Sequence, residues 1–269
     1  MPVTPKDGSL EGKVVVVTGA AQGIGMAGAL ACAAFGADLA LCDRQQEKLE
    51  AVAKEVQEMG RRVVTGFFDV RDPDAVTSHL EDVRDEFGRV DVLVNNAGGT
   101  FVSNFMDVNA KGQQALIDEN YSQVLNFIRG CHPLFPESGG SIVNVTSIEA
   151  HRAAPGFAIY SSMKAAVMQL TMSLALEFAD RGIRVNAIAA DAIDTEGDQE
   201  LGAQVSGLAE GYETPIGRYG VPDDMAGPIV FLASDLSRFM TGTTLHVGGG
   251  TDAASGWRRD PTRPGGWRP

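Results

Sequence analysis

Several features that would assign a protein to a specialised class are scarce or missing in this 269-residue sequence. Its three cysteines, Cys32, Cys42 and Cys131, form no C-x-x-C pair, and its four histidines form no H-x-x-x-H pair, so no metal site is predicted. Unpaired cysteines in odd number favour reduced thiols. No apolar run is long enough to cross a bilayer, and segment 1–13 lacks the apolar core of a secretory signal. We therefore expect a cytoplasmic protein without a membrane partner.

Basic residues are in deficit. Lysine and arginine number 22 against 35 acidic residues, which gives a formal net charge of -13. Such a charge argues against a nucleic acid or an anionic membrane as partner through bulk electrostatics. Hydrophobic residues make up 44% of the chain and charged residues 21%, an ordinary composition for a globular protein.

What the sequence does contain is a regular alternation of two kinds of segment. Apolar, β-branched runs of strand length occupy 13–20, 37–44, 61–70, 90–98, 140–147, 183–190 and 243–250. Amphipathic segments of helix length lie between them, at 23–35, 45–59, 73–87, 108–130, 160–180 and 222–234. Uninterrupted apolar strands alternating with helices indicate parallel pairing with right-handed crossovers. We predict an α/β fold with a doubly wound seven-stranded parallel sheet and helices on both faces.

The alternation runs through the chain without an interior linker. We therefore expect a single domain over residues 1–255 and a tail over 256–269, rich in proline, arginine and tryptophan. The tail has two interpretations, a disordered end or an arm that packs on a neighbouring subunit.

A glycine-rich turn, TGAAQGIG at 18–25, follows the first strand and opens the first helix. In such a turn Gly19 permits the tight bend, Gly23 lets the backbone approach a pyrophosphate, and Gly25 permits close packing of helix and strand. The free N–H groups of the helix N-terminus then face the phosphates. The turn predicts a dinucleotide site.

The second strand ends at Asp43, where a carboxylate would meet the adenosine ribose. It would accept hydrogen bonds from both ribose hydroxyls and repel a 2′-phosphate, so NAD is the expected cofactor. Arg44 follows directly and could bind a 2′-phosphate, which keeps NADP open as the weaker alternative.

The segment YSSMK at 160–164 places Tyr160 and Lys164 one helical turn apart on the same face. A free tyrosine has a pKa of ~10 and is a poor base at neutral pH. A lysine ammonium and an oxidised nicotinamide nearby would favour the phenolate, which could take the proton of an alcohol while hydride leaves its carbon. Ser147, at the end of the fifth strand, could hydrogen-bond to the same substrate oxygen.

These motifs together resemble the short-chain dehydrogenase/reductase family over about residues 10–252. The turn at 18–25 is similar to the family's TGxxxGIG motif, and NNAG at 95–98 is similar to its signature after the fourth strand. The segment 160–164 matches its Y-x-x-x-K, and Ser147 lies where the family has its catalytic serine, thirteen residues before Tyr160.

The resemblance implies roles for individual residues. The catalytic residues it implies are Asn120, Ser147, Tyr160 and Lys164, with Lys164 also binding the nicotinamide ribose and Asn120 positioning a water. The cofactor-binding residues it implies, beside Tyr160 and Lys164, are Gly19, Gln22, Gly23, Ile24, Gly25, Asp43, Arg44, Asp69, Val70, Asn96, Ala97, Gly98, Ile193 and Thr195. It also implies a homotetramer, with the helices at 108–130 and 160–180 in one interface.

The sequence departs from the family pattern in two places. After the sixth strand, Ala190 and Asp191 stand where the family has Pro-Gly, so we expect Asp191 to point away from the pyrophosphate or toward substrate. After the seventh strand, Gly248 replaces a common aspartate. The following segment 196–220, rich in glycine and acids, corresponds to the family's mobile substrate lid.

The expected substrate is a neutral secondary alcohol or ketone, cyclic or hydrophobic, because an acidic lid disfavours polyanionic thioesters. Candidate pocket residues are Glu149, His151, Phe157, Phe101 and Tyr212. Two alternatives remain open: an NADPH-dependent 3-oxoacyl-thioester reductase of the same family, and a catalytically silent dinucleotide-binding sensor.

Overall fold

A computed structural model describes residues 2–197, 199, 214–259 and 266–268. At its centre lies a seven-stranded sheet whose neighbouring strands all pair in parallel. The strands are β1 (Val14–Thr18), β2 (Asp38–Asp43), β3 (Val63–Phe67), β4 (Val92–Asn95), β5 (Gly140–Ser147), β6 (Ile183–Ala190) and β7 (Thr244–Val247). Their order, β3-β2-β1-β4-β5-β6-β7, reverses direction between β1 and β4. The predicted doubly wound sheet is confirmed, and its switch point lies where such sheets bind ligands.

The helices match the predicted segments closely. They are α1 (Gly23–Ala34), α2 (Gln46–Glu58), α3 (Pro73–Phe87), α4 (Ala110–Ile117), α5 (Gln123–Cys131), α6 (Ala158–Glu177), α7 (Pro222–Ala233) and the short α8 (Thr251–Ala254). The predicted helix 108–130 is interrupted, because a π-helical turn at Asp118–Ser122 separates α4 from α5. π turns of this kind often occur at functional sites.

The sheet has a hydrophobic core on each face. One core contains α1, α2 and α7, and the other contains α3, α5 and α6. Helices α1 and α7 approach closely because Gly28 has no side chain, since a Cβ there would lie 2.8 Å from Ile229 Cδ1. All five residues of β1 are buried, which is the reason for its uninterrupted apolar sequence.

Local sequence sets the helix ends. Asp72 caps α3 by accepting hydrogen bonds from the N–H groups of Asp74 and Ala75, and Pro73 occupies the first helical position. Gly88 ends the same helix in the left-handed conformation, with φ 71°. These signals explain why the bounds of α3 could be predicted from the sequence.

The tail contains two short strands, β8 (Arg258–Arg259) and β9 (Trp267–Arg268), which pair in an antiparallel ribbon. The segment after β6 forms one parallel bridge between Ile193 and Gly220. Among the helices of the described residues, none is long and apolar enough to cross a membrane.

Candidate active site

A cavity of about 570 Å³ opens at the carboxyl edge of the sheet, beside the switch point. It brings together residues that are far apart in the sequence but were predicted to share a site. The predicted residues that line it are Gly19, Gln22, Gly23, Ile24, Asp43, Arg44, Asp69, Val70, Asn96, Ala97, Gly98, Ser147, Glu149, Phe157, Tyr160, Lys164, Ile193 and Thr195.

The glycine turn is shaped by close backbone contacts. Gly19 has φ +65°, and a Cβ on it would lie 2.9 Å from Ala97 Cα. Gly25 does not line the cavity, because it packs beneath the turn, where a Cβ would lie 2.0 Å from Gly19 O. Gly23 has φ +55° and faces the opening of the cavity. The turn therefore presents bare backbone to the cavity, as a cradle for a pyrophosphate requires.

Side chains of β1 and β4 hold the turn in place. Thr18 Oγ1 accepts hydrogen bonds from the N–H groups of Asn96 (3.0 Å) and Ala97 (2.9 Å). Asn96 Nδ2 in turn donates to the carbonyls of Thr18 and Gly19, both at 3.0 Å. The role of Thr18 was not predicted, although Thr18 is the first residue of the segment TGAAQGIG at 18–25.

Asp43 is a buried carboxylate at the end of β2, only 8% exposed. Its Oδ2 accepts from Ala21 N at 3.1 Å and its Oδ1 from Gln45 N at 2.9 Å, so the carboxylate is fixed at the cavity wall. Each carboxylate oxygen keeps a lone pair for a further donor. Asp43 can therefore accept the hydrogen bonds of ribose hydroxyls.

The neighbouring wall carries a charged pair. Asp69 is ion-paired with Arg71, whose hydrogen bond is the main cause of a lowered pKa for that carboxyl. Arg44 also contributes a weaker electrostatic interaction with Asp69. The positive charge of Arg44 is thus partly balanced by the carboxylate of Asp69.

Ser147, Tyr160 and Lys164 meet at the other end of the cavity. Ser147 Oγ accepts from Glu149 N at 3.2 Å, which leaves its hydroxyl proton available to a substrate oxygen. Lys164 Nζ lies 5.6 Å from the centre of the Tyr160 ring and donates to Val145 O at 3.2 Å. Burial lowers the pKa of Lys164 to about 8, and the carboxylate of Glu119 opposes that shift.

Asn120 lies in the π turn and is fully buried, behind the cavity wall. Its Nδ2 donates to the carbonyls of Gly99 (2.8 Å) and Leu116 (3.0 Å), and its Oδ1 accepts from Gly99 N at 3.3 Å. A Cβ on Gly98 would lie 2.9 Å from Asn120 Oδ1 and 3.0 Å from Lys164 Nζ. Asn120 therefore fixes the chain that follows β4 against Lys164.

A chain of buried amides ties the helix that carries Tyr160 to the sheet. Asn95 Nδ2 donates to Asn144 Oδ1 at 2.8 Å, and Asn144 Nδ2 donates to Thr171 Oγ1 at 2.9 Å. Because Thr171 belongs to α6, these bonds link β4, β5 and α6. This network was not predicted from the sequence.

The predicted substrate-pocket residues fall in different places. Glu149 and Phe157 line the cavity, and Phe101 lines a small apolar niche behind Tyr160. His151 does not line the cavity, and its ring packs at a tilt against that of His246, with centroids 4.5 Å apart. Tyr212 lies outside the described residues.

The segment after β6 takes a definite conformation without Pro-Gly. Asp191 N donates to Val247 O at 3.1 Å, and Gly220 N donates to Ala192 O at 2.8 Å. Ala192 has φ +52°, a conformation that costs energy for a residue with a Cβ. Asp191, Ala192 and Ile193 all line the cavity.

Several further lining residues were missed by the sequence reasoning, among them Phe68 and Glu119. Phe68 directly precedes the predicted pair Asp69 and Val70, and Glu119 directly precedes Asn120. In each case the neighbouring motif was the available signal. Among the described residues, no cluster of histidine, cysteine or acidic side chains could hold a metal ion.

Comparison with known proteins agrees with this geometry. Residues 19–252 match the family model described as enoyl-(acyl carrier protein) reductase. The chain is 37% identical over 242 residues to the 3-oxoacyl-(acyl-carrier-protein) reductase of Thermotoga maritima, which covers 90% of this chain and 98% of the relative.

Solved structures are similar over most of the chain. A short-chain type dehydrogenase/reductase from Mycobacterium marinum is 33% identical, with a TM-score of 0.85, and the match covers 91% of this chain and 97% of that one. Carveol dehydrogenase from Mycobacterium avium, solved with NAD, is 29% identical with a TM-score of 0.82, covering 89% and 97%. This chain therefore belongs to the short-chain dehydrogenase/reductase family and is an NAD(P)-dependent oxidoreductase acting on CH–OH or keto groups.

Proposed function

We propose that this protein is an NAD-dependent oxidoreductase that interconverts a neutral secondary alcohol and its ketone, with Tyr160 as the general acid/base. The observation that carries the proposal is the convergence of the glycine turn, Asp43, Ser147, Tyr160 and Lys164 on one cavity.

When bound, the nicotinamide ring supplies the acceptor or donor of hydride. In alcohol oxidation Tyr160 accepts the hydroxyl proton of the substrate, and in ketone reduction it returns that proton. Lys164 is buried and lies one helical turn from Tyr160, and its ammonium stabilises the phenolate. Ser147 donates its hydroxyl proton to the substrate oxygen and stabilises the charge that develops there. Asn120 acts as a positioning residue, because its amide holds Gly99.

The preference for NAD rests on Asp43. Its carboxylate is buried and fixed at the cavity wall, so a 2′-phosphate would meet a negative charge that cannot move away. We expect kcat/KM with NAD to exceed that with NADP by at least tenfold. Asp43→Ser should lower the ratio of kcat/KM with NAD to kcat/KM with NADP. Asp38→Asn, at the other end of the same strand, should leave this ratio unchanged. Equal use of both cofactors by the unaltered protein would contradict this part of the proposal.

The activity itself is tested by incubating the protein with NAD and a panel of secondary alcohols at alkaline pH and following reduced nicotinamide. Tyr160→Phe should lower kcat about 10²- to 10⁴-fold, since it removes the proton acceptor. Tyr121→Phe, partly buried against the hydrophobic core, is the matched control and should retain activity. A protein that binds NAD and oxidises or reduces none of the panel would instead support the catalytically silent sensor.

A second candidate is a 3-oxoacyl-thioester reductase, and it is favoured by the name of the Thermotoga maritima relative. The net charge of -13 and the acidic residues around the cavity speak against a polyanionic acyl carrier. A 3-oxoacyl thioester with NADPH is therefore assayed beside the alcohols. A kcat/KM for that thioester above that of every free alcohol would select the second candidate.

We further propose a homotetramer in which α6 and the α4–α5 segment pack against their copies. Met172 and Leu176 lie one turn apart on α6 and are 40% and 80% exposed. Such apolar exposure on one helix face is typical of a subunit contact. Leu176→Glu should reduce the mass measured by light scattering after gel filtration, and Met59→Glu, directly after α2, should not. A monomeric unaltered protein would contradict the proposal.

A further inference from the structure

The two departures from the family pattern meet in space. Asp191 follows β6 and Gly248 follows β7, and these strands are neighbours in the sheet. A Cβ on Gly248 would lie 2.8 Å from Asp191 Cβ, closer than two such atoms can approach. An aspartate at 248 is therefore incompatible with Asp191 in this position. The carboxylate absent from the end of β7 is present instead at the end of β6, beside the catalytic cavity.

Asp191 is joined to a second carboxylate of the cavity by an arginine. Arg152 Nη2 lies 2.8 Å from Glu149 Oε1 and 3.5 Å from Asp191 Oδ2. The backbone N–H of Glu149 donates to Ser147 Oγ, so the backbone of Glu149 lies next to the proposed catalytic serine. We call Glu149, Arg152 and Asp191 the ion triad.

The ion triad presents a particular chemistry to the cavity. Glu149 and Asp191 line the cavity, whereas Arg152 does not. Ionised carboxylates are acceptors only, so a ligand beside them must supply hydrogen-bond donors. The triad carries a net charge of -1, which disfavours a carboxylate, a phosphate or an acyl carrier in the same place.

From this arrangement we infer that Glu149 and Asp191 are substrate-binding carboxylates, held by Arg152, that accept hydrogen bonds from hydroxyl groups other than the reacting one. The substrate is then a neutral polyhydroxy compound, such as a cyclic vicinal diol. The inference rests on the proposed oxidation of neutral alcohols and adds the class of alcohol. A hydrogen bond to a charged group changes binding by about ten- to a hundredfold, which sets the size of the expected effect.

The test compares trans-1,2-cyclohexanediol with cyclohexanol as substrates of the full chain with NAD. The unaltered protein should have a kcat/KM at least tenfold higher for the diol. Glu149→Gln and Asp191→Asn should each lower the diol-to-cyclohexanol ratio of kcat/KM about tenfold or more. Asp252→Asn is the matched control, because its carboxylate lies 3.6 Å from His246 outside the cavity. It should leave the ratio unchanged.

Four outcomes would overturn the inference, and the last of them would overturn the proposed function as well. The first is a wild-type preference for cyclohexanol, and the second is a ratio that neither variant changes; in both, the proposed function survives. The third is the loss of both substrates in both variants, which would make the ion triad a structural tie of the loop rather than a binding site. Reduction of NAD by neither alcohol, with turnover of the 3-oxoacyl thioester, would reject the inference together with the proposed function.

Discussion

His79 is a buried histidine in α3, and it makes the stability of this fold sensitive to mild acid. The side chain is 2% exposed and its ring tilts against that of Phe68, with centroids 5.5 Å apart. Among the residues that the structure describes, neither ring nitrogen has a hydrogen-bond partner. Burial lowers the pKa of His79 from 6.5 to about 4, and the carboxylate of Asp82 opposes this only in part.

The size of the effect follows from the two pKa values. The unfolded chain binds a proton at His79 near pH 6.5, whereas the folded protein binds it only near pH 4. Between these two pH values, proton binding to the unfolded chain therefore lowers the free energy of unfolding. The stability contributed by neutral His79 is complete above pH 6.5 and is lost as the pH falls toward 4. A difference of about 2.5 in pKa corresponds to ~3.4 kcal/mol in total, of which ~2 kcal/mol is lost at pH 5.

The assay is urea unfolding at fixed protein concentration between pH 8 and pH 5, comparing the unaltered protein with His79→Leu. The leucine cannot bind a proton, so the free energy of unfolding of the variant should exceed that of the unaltered protein by ~2 kcal/mol more at pH 5 than at pH 8. His79→Gln is the control, since it keeps a polar group but does not titrate. It should differ from His79→Leu by an amount that does not change with pH.

Carboxylates elsewhere contribute equally to both proteins, so only the difference between the two curves reports on His79. Parallel curves for the unaltered protein and His79→Leu over this range would refute the reasoning. In that case the proton is not excluded from the ring in the folded state.

Three other predictions concern the site and its supports. Gly25→Ala should abolish measurable NAD binding in a fluorescence titration, because its Cβ would overlap the carbonyl of the glycine turn; undiminished binding would contradict the close packing. Glu119→Gln should move the alkaline limb of kcat/KM to lower pH, since the carboxylate opposes the lowering of the pKa of Lys164; an unmoved limb would contradict the interaction. Thr171→Val should cost ~1–3 kcal/mol in urea unfolding, because Asn144 Nδ2 would lose its acceptor; unchanged stability would show that the amide finds another partner.

Most of the fold could be predicted from the sequence, because its signals are local. The apolar runs predicted all seven strands, and the amphipathic segment 73–87 predicted α3, whose ends coincide with the cap at Asp72 and with Gly88. The glycine turn could be predicted for the same reason, since its conformation depends on residues within one short segment. The cofactor half of the cavity follows once these segments are placed in a doubly wound sheet.

Features that depend on distant partners could not be predicted. The π turn that holds Asn120 inserts one residue into a helical pattern that looks continuous in the sequence. Asp191 and Gly248 are 57 positions apart, so each looked like an isolated departure until β6 and β7 were paired. The contact between the rings of His151 and His246 has the same origin, and His151 does not line the cavity.

The two halves of the site also differ in the forces that hold them. Thr18, Asp43 and Asn120 are buried and fix the cofactor half through hydrogen bonds to backbone groups, so exchanging any of them leaves unpaired groups in the interior. The proposed substrate half is bordered by the ion triad, in which Arg152 is 41% exposed, Glu149 23% and Asp191 12%. Ion pairs between side chains join these three residues. The family pattern predicts the cofactor half for this reason, whereas the substrate half has to be read from the side chains of this chain.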